Sequence, residues 1–322
     1  MSSRWTFLIY LNRYDPSKPK IQFRFWALIA ALNFSSNPKC RKGNHQTPDS
    51  ESGPWEGICV SNKDVVYIGG SLVEGHINPL SFGMGNKFSD VDVFIIREHN
   101  AFLKTACVYD DNVRRTFFCE KKQCGFDVEV YDKDFVNVFA EVLNRVEVAP
   151  NERINNVFFN YLPQGCNFEL LNTFLCRLYN SICIKGEEAY KELQNKIKYR
   201  KFLDLLISKT IVSIDNIYED VQGNVEAGQL DVALYCARRI VLNVMFVVLM
   251  KNSIFTDREK WIPLKFSNLC RFNKKFLTLN SAFKVLFRGD LSKDIACNNA
   301  IVDTMRVSKQ VIETILMEEL QL

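Results

Sequence analysis

The chain has 322 residues, of which 47% are apolar, 12% aromatic and 24% charged, with a formal net charge of +4. This apolar and aromatic content excludes disorder for the bulk of the chain, and a chain of about 300 residues buries roughly three quarters of its unfolded surface on folding. A net +4 over this length does not suggest the dense basic face that duplex nucleic acid usually calls for.

The charge is uneven. Residues 1–64 carry nine Lys/Arg and five Asp/Glu, residues 65–150 nine and thirteen, and residues 151–322 twenty-three and nineteen, hence +4, −4 and +4. Ordinary surface variation produces such a pattern. So does a site where carboxylates hold metal while nearby cations receive a polyanion. The eleven cysteines show no spacing framework and fit buried, reduced thiols in a cytoplasmic protein. Cys119-x4-Cys124 has no second ligand pair, so zinc is not expected. The opening Met1-Ser-Ser-Arg-Trp does not read as a secretory signal. The apolar runs Phe25–Leu32 and Val241–Met250 fall short of the ~20 residues of a membrane helix.

In chain order, residues 1–60 read as an N-terminal extension. Gln22–Phe34 has helical apolar spacing, and residues 35–56 form a polar linker rich in Ser, Asn, Pro and Gly. Residues 61–150 read as a mixed α/β unit. Its strands are expected at Lys63–Ile68, Val91–Ile96, Arg114–Cys119 and Gly125–Tyr131. Residues 151–322 read as helical. Apolar residues recur at three- and four-residue spacing in Phe135–Glu147, Phe168–Ile184, Lys198–Val221, Val225–Met250 and Val302–Leu320. The fold class is therefore α+β: a mixed sheet with flanking helices, followed by a helical C-terminal domain.

Residues 67–96 are the most informative. The first strand ends in Gly69-Gly70-Ser71, where glycine permits close backbone approach and positive φ. A helix starting there would aim free N–H groups at a phosphate, with the Ser71 hydroxyl as a further donor. Ser89-Asp90-Val91-Asp92 opens the second strand, and at i, i+2 spacing both carboxylates share one face. Adjacent carboxylates repel unless a cation joins them. Magnesium, a hard cation that takes oxygen ligands together with nucleotide phosphates, is the natural partner. Asp127 and Glu129 repeat the spacing on a later strand. Either could complete a two-metal clamp and accept the proton of an attacking hydroxyl.

This ordered set resembles the nucleotidyltransferase superfamily that includes DNA polymerase β and the kanamycin-type aminoglycoside nucleotidyltransferases. The matching elements are Ile68-Gly69-Gly70-Ser71, Asp90-Val91-Asp92, and either Phe126-Asp127-Val128 or Val128-Glu129-Val130. The resemblance covers residues 60–135 or so. It implies transfer of a nucleoside monophosphate, AMP foremost, from ATP or another NTP to a hydroxyl, with release of pyrophosphate. It further implies two magnesium ions on Asp90, Asp92 and Asp127 or Glu129, with Asp127 the first choice, and phosphates on Gly69, Gly70 and Ser71. The eighteen residues between Ser71 and Asp90 exceed the family's usual spacing, which an insertion at 77–84 would explain.

Other residues carry two readings. Lys87 and Ser89 could meet phosphate or face solvent. Arg238 and Arg239 could reach the triphosphate from the helical half, or form a surface pair with an acid such as Asp231. Glu74 could brace the phosphate loop or lie exposed, His76 is expected in solvent, and Trp261 beside Lys260 is expected in the core. The acceptor is expected to be a small molecule. A protein or tRNA acceptor, recognised by residues 1–64, is the second possibility. A catalytically silent interaction protein on the same fold is the third.

Overall fold

The computed structural model describes residues 60–86, 89–121, 124–147 and 156–320. The expected helix at Gln22–Phe34, the 35–56 linker and Lys87 lie outside the described residues, as do the side chains of Cys119 and Cys124.

Six strands form one sheet: β1 (Val65–Gly69), β2 (Val91–Arg97), β3 (Tyr109–Asp110), β4 (Arg114–Lys121), β5 (Cys124–Asp132) and β6 (Ile182–Lys185). Their order is β3-β4-β5-β2-β1-β6, with β2 and β5 parallel and every other neighbouring pair antiparallel. The four expected strands form. β-branched residues fill β1 and β2 because both faces of the central sheet are covered.

Alternate residues serve two cores. Val65, Tyr67, Phe94, Ile96 and Tyr131 face the main core, which the helices share. Val66, Ile68, Val93, Ile95, Val128 and Val130 pack on the opposite face with Val73 and Phe102.

The helices are α1 (Gly70–Ile77), α2 (His99–Phe102), α3 (Lys133–Arg145), α4 (Phe168–Tyr179), α5 (Glu187–Lys196), α6 (Tyr199–Glu226), α7 (Leu230–Lys251), α8 (Ile262–Phe272), α9 (Leu277–Arg288) and α10 (Asp294–Leu320). Asp132 caps α3 by accepting from Asp134 N–H, and Asn167 caps α4 by accepting from Leu170 N–H. The break between α6 and α7 falls at Gly228, whose φ of 71° suits glycine. By length and composition α7 could cross a membrane, more than the Val241–Met250 run suggested. Here it is a core helix: Ala237, Ile240, Val241 and Val244 through Met250 are buried apart from half-buried Phe246, and α6, α8, α9 and α10 pack against it.

Two expectations change. The helix expected over Phe168–Ile184 stops at Tyr179, because Ile182, Cys183 and Lys185 pair with the other edge of β1 as β6. The sheet thus draws a strand from beyond residue 150. Helix α10 begins at Asp294, earlier than Val302.

Candidate active site

Strand register assembles the site from separate stretches of chain. Gly69 pairs with Asp92, Asp92 with Asp127, and Phe118 with Asp127. Directly opposed residues project on the same face. Gly69, Asp92, Asp127 and Phe118 therefore form one row across β1, β2, β5 and β4. The row lies at the N-terminal ends of the parallel strands, on the face that farther along carries Tyr67, Phe94 and Tyr131 into the main core.

Asp90 precedes the first residue of β2 and is exposed, so the expected strand pair becomes one strand residue and one entry residue. It still joins the cluster. A Cβ at Gly125 would collide with Asp90 Oδ1, and the Asp90 charge helps raise the Asp127 pKa. Glycine at 125 thus leaves room for the Asp90 carboxylate beside β5.

Gly70 opens α1 at φ 83°, in the left-handed region, and a Cβ there would overlap the Asp92 carboxylate. The helix start carries no side-chain cap. Its first N–H groups are therefore available to an acceptor from outside. Ser71 lies half-buried in that first turn.

The two candidates for the third carboxylate part here. Glu129 accepts the Tyr131 hydroxyl proton at 2.6 Å and lies 3.4 Å from Arg114 Nη1. It belongs to the buried polar layer beneath the row. Asp127 lies in the row itself, in register with Asp92. Burial raises the Asp127 pKa, and the Asp90 and Glu129 charges add to the effect. Burial pushes Asp92 up to about 6; Arg177 opposes this, while Glu129, Asp127 and Asp257 reinforce it. Among the described residues these carboxylates are short of positive charge, and their hard oxygen donors fit a magnesium ion.

The cation that the structure does supply was not legible in the motif. Arg177 reaches over from α4, with Nη1 3.4 Å from Asp92 Oδ2 and Nε 3.1 Å from Asp257 Oδ2. Burial opposes its charge, but Asp92 and Asp257 more than compensate and hold its pKa above the ordinary arginine value. The Asp257 side chain is 3% exposed and comes from the segment joining α7 to α8. Exposed Arg258 flanks it, with Nε 3.9 Å from the same carboxylate.

The remaining expected residues fall elsewhere. Arg238 donates from Nε to the Leu286 carbonyl at 2.8 Å and lies over the Phe287 ring, so it serves the α7–α9 contact. It does not join the carboxylate row. Arg239 is exposed on the same helix. The Arg238 side of α7 thus packs on α9. Ser89 accepts from Asn86 N–H at 3.0 Å, which closes the turn that leads into β2. Glu74 is buried and ion-paired, His76 is exposed in the last turn of α1, and Trp261 is half-buried under Lys260 instead of in the core.

A separate group of His99, Asp132 and Asp134 has ligand atoms within 4.8 Å of one another. Asp132 is five residues along β5 from Asp127, about 16 Å at the usual rise per residue, so this group lies at the other end of the sheet. The seven cysteines Cys107, Cys166, Cys176, Cys183, Cys236, Cys270 and Cys297 are free thiols.

No protein-family model and no curated protein sequence matches the chain. Among solved structures, it is similar to a nucleotidyltransferase-like protein from Exiguobacterium sibiricum 255-15. Identity is 6%, coverage is 78% of this chain and 69% of that chain, and the TM-score is 0.40.

Proposed function

We propose that the chain is a magnesium-dependent nucleotidyltransferase that moves an NMP from an NTP, ATP first among them, to a hydroxyl acceptor. The observation that carries this reading is the row of Gly69, Asp92 and Asp127 on three adjacent strands, with Asp90 at its mouth. Asp90, Asp92 and Asp127 hold the metal, which when bound supplies positive charge to the phosphates and to the leaving pyrophosphate. The uncapped N–H groups at the start of α1 and the Ser71 hydroxyl bind the phosphates. Gly70 keeps that helix start close against Asp92. Asp127, in register with Asp92, accepts the proton of the attacking hydroxyl.

The acceptor in this reading is a small molecule. Phe118 supports it: its side chain stands opposite Asp127 and is 70% exposed, which offers a ring face beside the proposed base. A second reading, a silent interaction protein on this fold, is favoured by one observation, the Arg177 guanidinium already resting on Asp92.

The test is incubation of the protein with each labelled NTP, magnesium, and cell extract split into small-molecule, RNA and protein fractions. Asp90→Ala/Asp92→Ala runs in parallel. Label in the small-molecule fraction that needs both carboxylates supports the reading. Label in the RNA or protein fraction moves the acceptor class. No label in any fraction supports the silent protein.

A further inference from the structure

Arg177 has two unequal attachments. Its Nε is held at 3.1 Å by Asp257, a carboxylate 3% exposed, whereas its Nη1 reaches Asp92 at the longer distance of 3.4 Å. The contact to Asp92 is the longer of the two and the more exposed, since the Asp92 side chain is 21% exposed. Gly70 makes the arrangement possible. A Cβ there would lie 2.8 Å from Nη1 as well as overlapping the Asp92 carboxylate, so glycine is what lets this cation and this anion meet beneath the start of α1.

The charge balance gives the contact a purpose. Glu129 is already partnered by Arg114 and Tyr131. Asp90, Asp92 and Asp127 remain, and among the described residues Arg177 is the cation placed on one of them. A divalent cation on Asp92 would repel a guanidinium 3.4 Å from the same carboxylate oxygen.

We infer that Arg177 is a built-in counter-ion that competes with divalent metal for Asp92, so that metal loads as Arg177 leaves. The inference rests on the reading of the row as a metal site. Phosphate oxygens arriving at α1 offer the guanidinium charge-assisted acceptors in exchange for Asp92. Metal and triphosphate binding are then coupled, each favouring the other by the same factor. Arg177 is in this sense a positioning residue. It keeps the carboxylates compensated when the site holds no metal, and it makes loading depend on nucleotide.

The experiment measures binding of Mn2+ alone by the full chain, with free ion read by electron paramagnetic resonance and no turnover involved. The variants are Arg177→Gln, Arg177→Gln/Asp257→Asn, and each of these with Asp92→Asn added. The double variant is needed because Arg177→Gln leaves the buried Asp257 carboxylate with only its longer 3.9 Å contact to Arg258, and removing both charges avoids that. Removal of a unit charge this close predicts Mn2+ binding tighter by on the order of tenfold or more, and Asp92→Asn abolishes the gain. Suppose instead that the double variant binds Mn2+ no more tightly than the wild type, while Asp92→Asn still weakens wild-type binding. The counter-ion role is then overturned and the metal site stands. Absence of Asp92-dependent Mn2+ binding in every protein would overturn the metal site and the counter-ion role together.

Discussion

Glu74 Oε1 lies 2.6 Å from Lys265 Nζ, with the two side chains 4% and 0% exposed. The pair joins α1, which opens at Gly70, to α8 in the helical half. Ser81 donates its hydroxyl proton to the same Glu74 oxygen at 2.6 Å, and Lys265 also donates to the Phe255 carbonyl. Asn268 on α8 donates its amide protons to the Leu80 and Phe82 carbonyls, both at 3.0 Å. The segment that follows α1 therefore docks on α8 and ties the latter half of α1 to it.

Breaking one side of this pair strands a charge out of water. Lys265→Met is expected to destabilise the protein by about 3–5 kcal/mol, and Glu74→Gln/Lys265→Met by less, because no unpaired ion remains. Urea unfolding of the three proteins measures this. A double variant as unstable as the single would show that packing, not the stranded charge, sets the loss.

Gly70→Ala places a methyl group against Asp92 and demands a left-handed backbone from alanine. Backbone strain of this kind costs on the order of 1–3 kcal/mol, and the displaced carboxylate adds a loss of function. The variant is expected to stay folded and lose labelled transfer together with Mn2+ binding. Gly228→Ala, also at positive φ but with open space around it, is the control that carries strain without the collision. Equal loss of Mn2+ binding in both variants would refute the steric account.

Asp127 and Glu129 separate by phenotype. Asp127→Asn should abolish transfer while leaving stability within about 1 kcal/mol, since the carboxylate makes no ion pair among the described residues and its burial disfavours charge. Glu129→Gln removes the negative charge facing Arg114 and leaves a single amide oxygen to accept from Tyr131 and Arg114, and should destabilise by roughly 1–3 kcal/mol with partial activity retained. Thermal unfolding and transfer assays on both variants test the assignment. Loss of transfer in Glu129→Gln with full activity in Asp127→Asn would reverse it.

At the other end of the sheet, His99 Nδ1 lies 2.7 Å from Asp132 Oδ2. The hydrogen bond to Asp132, aided by its charge, raises the His99 pKa above the ordinary value. A raised histidine pKa means the folded state binds the extra proton more readily. The stabilisation is complete below the unfolded pKa of about 6.5 and fades as pH rises through the folded value. An NMR titration should place His99 above that value. Asp132→Asn should bring it back, while the side chain can still cap α3. An unchanged His99 titration in Asp132→Asn would exclude the pair as the cause.

Much of the framework is written locally. The runs Val65-Val66-Tyr67-Ile68 and Val91-Asp92-Val93-Phe94-Ile95-Ile96 specify buried strands through β-branched and apolar content alone. Gly69-Gly70-Ser71 and Asp90-Val91-Asp92 are legible because their parts lie within a few residues of one another. The apolar periodicity of α6 and α7 is equally local, and so is the break at Gly228.

What the tertiary structure decided is partnership. Asp127 and Glu129 are equivalent in sequence and part only because Arg114 and Tyr131 take Glu129. Arg177 meets Asp92 across 85 residues and Asp257 across 80, distances over which no local pattern carries information. Arg238 sits in an apolar helix that could face any neighbour, and it packs on α9. Ile182-Cys183-Ile184 continues a helical pattern in sequence, yet the unpaired edge of β1 makes it a strand, since pairing satisfies backbone groups that burial would otherwise leave without partners. Propensity and spacing choose elements from neighbouring residues, whereas the partner of each charged side chain follows from which surfaces pack, a property of the whole chain.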